Sequence, residues 1–190
     1  MRNLYQEQLW NLNQELIQMG AACEEIIALA AQSLTAYSDE LEGKTAQVGS
    51  VIDESERTIE NICLKLLLRQ QPVAGDLRQI SAALKMITDM ERIGDHAADI
   101  SEITLRLCQQ QEAVDLRLLP QMAGAASDML RRAIDAFVLQ DLALADRVIA
   151  DDDVVDDLFN QIKNALIVRI HANVESGELA VDLLMVAKYL

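Results

Sequence analysis

An all-α fold is predicted, two tandem three-helix bundles with the last helix truncated, and three observations predict it. Apolar residues recur at helical spacing along nearly the whole chain. Residues that favour sheets are scarce: aromatics make up 3% of the 190 residues, with only two Pro and seven Gly to interrupt helices. The layout of breaks and helix lengths also repeats once, about a hundred residues on.

The first helix is expected from Asn3 to Glu42, with Leu9, Leu12, Leu16, Met19, Cys23, Ile26 and Ala30 at helical spacing and a lone Gly20 inside. Gly43 breaks it. A second helix follows from Lys44 to about Arg69, its apolar side formed by Val48, Val51, Ile52, Ile59, Ile62, Leu66 and Leu67, and Pro72 and Gly75 close it. Asp76 is a good N-cap for the third, whose stripe opens with Leu77, Ile80, Leu84 and Ile87 and which reaches roughly Gln110.

The second triplet repeats this layout. A helix is expected from about Asp115 to Gln140, with Pro120 near its first turn, another from Asp141 to Asn173, and a last one from Glu178 onward. Val51-Ile52-Asp53 and Val148-Ile149-Ala150-Asp151-Asp152 fall at matching places in the two middle helices. Residues 1–112 are read as the first repeat and 113–190 as the second, incomplete at its C-terminus. Leu183 to Leu190 corresponds to Ala83 to Met90, so the second copy stops before its counterpart of Glu91 to Ala97. So short a last helix predicts uncovered apolar surface on its neighbours and self-association or local disorder.

The formal net charge of −15 repels a polyphosphate backbone, and no Lys/Arg stripe with interleaved aromatics counters it, so nucleic acid is not expected as a partner. Cys23, Cys63 and Cys108 are far apart and sit in apolar helical patterns, and they read as core thiols of a reducing compartment. No signal peptide and no membrane span is evident, which makes the cytoplasm the expected location.

Acidic residues on apolar faces carry the functional signal. Glu91, Asp95 and Asp99 stand four apart, which makes a slanting row on a helix and costs about 0.2–0.5 kcal/mol per like-charged pair. Extending the stripe of the third helix in register leads to Glu91 and Asp95, whereas Arg78, Lys85, Asp89, Arg92 and His96 share another face. Asp152 falls among Val148, Val155 and Phe159, and Asp156 lies one turn further on. Carboxylates aimed inward need a cation: interhelical salt bridges are the simpler remedy, a metal such as Fe, Mn, Mg or Zn the sharper one. No Gly-rich phosphate loop, nucleophile elbow or Ser/His/Asp arrangement is present, and neither His96 nor His171 has the Glu three residues earlier that a ferritin-like di-iron site needs.

Two stretches, Arg69-Gln70-Gln71-Pro72-Val73-Ala74-Gly75-Asp76-Leu77-Arg78 and Glu91-Arg92-Ile93-Gly94-Asp95-His96, resemble the PhoU family. The resemblance implies two three-helix bundles, no enzymatic activity, and negative regulation of phosphate uptake and phosphate-starvation signalling between a phosphate-specific ABC transporter and a phosphate-sensing histidine kinase. It also implies metal ions, iron or zinc first and Mn or Mg next, on E/D-x-x-x-D motifs, and a homodimer. By the same resemblance the ligands are Glu91 and Asp95, with Asp99 extending their row, Asp152 and Asp156 on the fifth helix, and Asp53 on the second. Arg57 stands where the second acid of that helix belongs, and the last helix ends before its own motif. The competing readings are a carboxylate-bridged metalloenzyme and a plain helical scaffold whose acids only solvate it.

Overall fold

The computed structural model describes residues 2–70, 74–109 and 116–190, with side chains at 6–68, 75–108 and 116–190. Among the described residues six α-helices follow in order: α1 (Arg2–Ser33), α2 (Asp39–Gln70), α3 (Ala74–Gln109), α4 (Leu118–Leu139), α5 (Leu142–Ala172) and α6 (Gly177–Tyr189), with a 3-10 turn at Val174–Ser176 before α6. Pro72, Gln110, Asp115 and the expected boundary between residues 112 and 113 lie outside the described residues.

The first break differs from the sequence expectation. α1 ends at Ser33, ten residues before Gly43, because Thr35 and Ala36 both donate their N–H to the Gln32 carbonyl and turn the chain. Ser38 then caps α2, its Oγ accepting from the Leu41 N–H at 3.2 Å, and Asp39, Glu40 and Glu42 sit at the positive end of that helix. Gly43 lies inside the second turn of α2 with open space around it, where a helix tolerates glycine at a cost of about 1 kcal/mol. α3 begins at Ala74, so Asp76 falls in its first turn instead of capping it.

The later boundaries follow local chemistry closely. Pro120 is the third residue of α4, where a missing N–H costs nothing. α4 ends on Gln140 in the left-handed conformation (φ 54°), and Asp141 then caps α5 by accepting from the Leu144 N–H at 2.9 Å. Asn173 ends α5, and its side chain accepts from the Glu175 N–H to start the 3-10 turn.

α1, α2 and α3 pack on one another, α4 packs on α1 and α5, and α6 lies against α3 and α5. One continuous apolar core results, running from Leu12, Leu16, Met19 and Ile26 of α1 through Ile80, Ile87 and Ile100 of α3 to Leu183 and Val186 of α6. At the junction of the two halves α1 and α4 come so close that a Cβ on Gly20 would overlap Cδ1 of the buried Ile134. The buried hydroxyls of Thr45, Ser101 and Thr104 donate to the carbonyls four residues earlier, so none is left without an acceptor.

Candidate functional site: an acidic seam between α2 and α3

The core face of α3 is Ile80, Ala83, Ile87, Met90, Ala97 and Ile100. Glu91 and Asp95 flank this face on the side toward α2, with Glu91 half-buried and Asp95 exposed. α2 passes α3 closely here, with Ile52 facing Gly94 so that a Cβ at that position would lie in ordinary contact with it at 3.5 Å. The neighbour of Ile52, Asp53, and Glu56 one turn on thereby act on Glu91 across the seam.

The electrostatic result is a carboxyl that ionises reluctantly. The Glu91 carboxyl is held above the usual glutamate range, first by partial burial and then by the like charges of Asp95, Glu56 and Asp53, with Arg92 opposing. Among the described residues none of these four carboxylates makes an ion pair. Sequence reasoning missed Glu56. The family spacing directs attention to Arg57, but Asp53 and Glu56 stand at i and i+3, which share a helix face as well as i and i+4 do.

The other expected ligands are dispersed. Asp99 continues the row of α3 and is exposed, as are Asp152 and Asp156 on α5. Asp152 does not point into a packed interface, although Val148 of the same stripe is buried. An interhelical salt bridge in the second half is made by the preceding acid, as Asp151 accepts from Arg132 of α4 at 2.5 Å and Arg132 also pairs with Asp128 at 2.7 Å. Sequence reasoning passed over this pair because Asp151 lies outside the apolar stripe.

Oxygen donors of this kind suit hard or borderline cations. Among the described residues, no three His, Cys, Asp or Glu side chains converge on a common point, so an ion held at the α2–α3 seam requires the exposed carboxylates to turn inward. His96 is no part of this seam. It faces away from α2 and packs on Tyr189 of α6, ring centroids 5.1 Å apart.

The thiols also divide. Cys23 and Cys63 are buried, and burial pushes them up to about 12 and about 11 respectively, whereas Cys108 near the end of α3 is exposed and not a core thiol. Among the described residues no helix is long and apolar enough to cross a membrane.

Two helical triplets around one core, with acids paired across the first, define a class of duplicated helical-bundle proteins. The crystal structure of PhoU from Pseudomonas aeruginosa has this fold, with a TM-score of 0.89, 25% sequence identity, and coverage of 97% of this chain and 89% of that one. The phosphate transport system regulatory protein PhoU from Streptococcus pneumoniae shares the fold at a TM-score of 0.86 and 23% identity, over 97% of this chain and 87% of that one. The family model described as PhoU domain matches twice, over residues 16–104 and 119–190. The phosphate-specific transport system accessory protein PhoU homolog of Clostridium acetobutylicum is 31% identical over 190 residues, spanning 100% of this chain and 87% of that protein. Its Aquifex aeolicus counterpart is 29% identical over 183 residues, 96% of this chain and 83% of that protein. The chain belongs to the PhoU family.

Proposed function

We propose that this chain is a non-catalytic negative regulator of phosphate uptake and phosphate-starvation signalling. It acts in the cytoplasm as an adaptor between a phosphate-specific ABC transporter and a phosphate-sensing histidine kinase. The observation that carries this reading is the match of both halves to one family whose full-length relatives are named as accessory proteins of phosphate-specific transport. Self-association as a homodimer belongs to the same reading, supported by Trp10 and Ile17, which lie exposed two turns apart on α1.

Metal binding is the finer part of the proposal, with iron or zinc as the first candidates and Mn or Mg next. Its support is the seam of Asp53, Glu56, Glu91 and Asp95, four acids that repel one another and that a divalent or trivalent ion would reconcile. Asp99, Asp152 and Asp156 contribute to ion binding only if another surface meets them. A carboxylate-bridged metalloenzyme draws no support from the imidazole of His96, which packs on α6.

Metal analysis and thermal melts of the freshly purified chain test the ion, and a phosphate-starvation reporter in a host lacking its own regulator tests the function. The expected results are a copurifying transition metal, a rise in Tm on adding it, and repression of the reporter in phosphate-rich medium. Glu91→Gln with Asp95→Asn should abolish the metal-dependent rise in Tm. If that double variant is more stable, binds nothing and still represses, the acids are plain repulsion and the metal part is wrong. Loss of repression by none of the variants, with no repression by the parent either, sinks the regulatory reading itself.

A further inference from the structure

The chain carries a formal net charge of −15, yet residues 57–88 hold Arg57, Lys65, Arg69, Arg78 and Lys85 against only Glu60 and Asp76. This surplus of positive charge falls on the second half of α2 and the first half of α3. The two helices run antiparallel, since α3 starts at Ala74 soon after α2 ends at Gln70 and packs back along it.

Both helices turn a similar face to solvent. On α2 the exposed Arg57, Asn61, Leu64 and Leu68 stand at i, i+4, i+7 and i+11, with Lys65 beside them. On α3 the exposed Ser81, Lys85, Thr88 and Arg92 repeat that spacing. Neither stripe contains an acid. Glu60 and Asp89 flank them, and the acidic seam bounds the surface at the end away from the α2–α3 connection. α6 meets α3 on a different side, at Ile93 and His96.

The cations of this face lack the partners that cations elsewhere have. Lys44 pairs with Glu40, Arg106 with Glu102 and Asp182, and Arg132 with Asp128 and Asp151. Among the described residues Arg57, Lys65, Lys85 and Arg92 make no ion pair, although the chain has 31 acids for 16 Lys and Arg. Large apolar side chains lie among them: Leu64 is 44% exposed, Leu68 82% and Leu77, at the start of α3, 49%.

This combination selects an extended anionic surface. Lys85 and Arg92 stand about 10 Å apart along α3, too far to close on a single phosphate ion. The stripes contain no aromatic residue, whereas protein interfaces centre on Trp, Tyr and Arg anchors. Leucines ringed by Lys and Arg are what helices lying in the plane of an anionic bilayer present, the leucines among the upper acyl chains and the long basic stems reaching the headgroups. Acids elsewhere on the chain do not prevent this. Asp39 and Glu40 at the other end of α2 are about 36 Å from Leu64 along the helix, several times the screening length of about 8 Å in physiological salt.

We propose that this two-helix face docks the chain peripherally on an anionic lipid surface, with Leu64, Leu68 and Leu77 entering the headgroup boundary and Arg57, Lys65, Lys85 and Arg92 on the lipid phosphates. The docking requires no metal ion and does not rest on the phosphate-transport reading.

Sedimentation of the whole chain with vesicles of phosphatidylcholine, with and without phosphatidylglycerol, tests it. Binding to the anionic vesicles alone is expected, falling as salt is raised. Lys65→Glu and Lys85→Glu should each weaken it about fivefold or more, and Leu68→Gln should weaken it at every salt concentration. Lys44→Glu, at the far end of α2, should leave it unchanged, and circular dichroism of each variant shows that the fold persists. No binding to anionic vesicles, equal binding to neutral ones, indifference to the stripe variants or an equal loss with Lys44→Glu overturns the proposal. Displacement by inorganic phosphate beyond the effect of its ionic strength overturns it in favour of a free anion. Binding of soluble polyglutamate without binding of vesicles overturns it in favour of an acidic protein.

Discussion

Glu91 is the residue on which burial and charge act in the same direction. Its carboxyl titrates above the ordinary value of 4.5, so the folded chain binds that proton more tightly than the unfolded chain does. Its contribution to stability is therefore most favourable at low pH, and it declines as the pH rises from the ordinary glutamate value through the raised one. Removing the charge removes this slope. Glu91→Gln is expected to raise stability at neutral pH by about 0.5 kcal/mol, and the gain should vanish near pH 4. Urea unfolding of parent and variant at several pH values measures it, and a gain that grows on acidification would contradict the like-charge seam.

Helix packing turns on one small residue at the junction of the two halves, where Gly20 lets α1 approach α4. At Gly20 a larger side chain has nowhere to go, because Ile134 occupies the space from the other side and is itself buried. Gly20→Leu is expected to cost about 1–3 kcal/mol by overpacking. Gly20→Ala should be nearly neutral, since about 1 kcal/mol of helix propensity offsets the displacement of one methyl end. Denaturant midpoints of the two variants decide this, and a Leu variant as stable as the parent would mean that α1 and α4 are further apart than described.

The two triplets share a core at the scale of the whole molecule. α1 packs on α4 and α3 on α6, so neither half buries its apolar faces without the other. One cooperative unfolding transition is expected. Fluorescence of Trp10, the single tryptophan, which reports on α1, should follow the same denaturant curve as helix content by circular dichroism. Two separated curves would show that the halves are independent domains.

Much of this architecture was legible in the chain itself. The helical class, the duplication, Asp141 and Asn173 at the two ends of α5 and Pro120 at the start of α4 rest on spacing and capping, which act within a few residues. The α1–α2 turn was misplaced at Gly43 because a glycine is only a weak helix breaker, while the Ser38 cap and three acids after it are a stronger start signal. Glu91 and Asp95 were legible as acids beside an apolar stripe, but their partner Glu56 was not, nor were the exposure of Asp152 and Cys108 or the tilted ring contact of His96 with Tyr189. An apolar stripe determines roughly which side of a helix is buried. Which neighbour that side meets is decided only when distant segments pack, and in this protein that step brings Asp53 and Glu56 of α2 beside Glu91 of α3 to make the acidic seam.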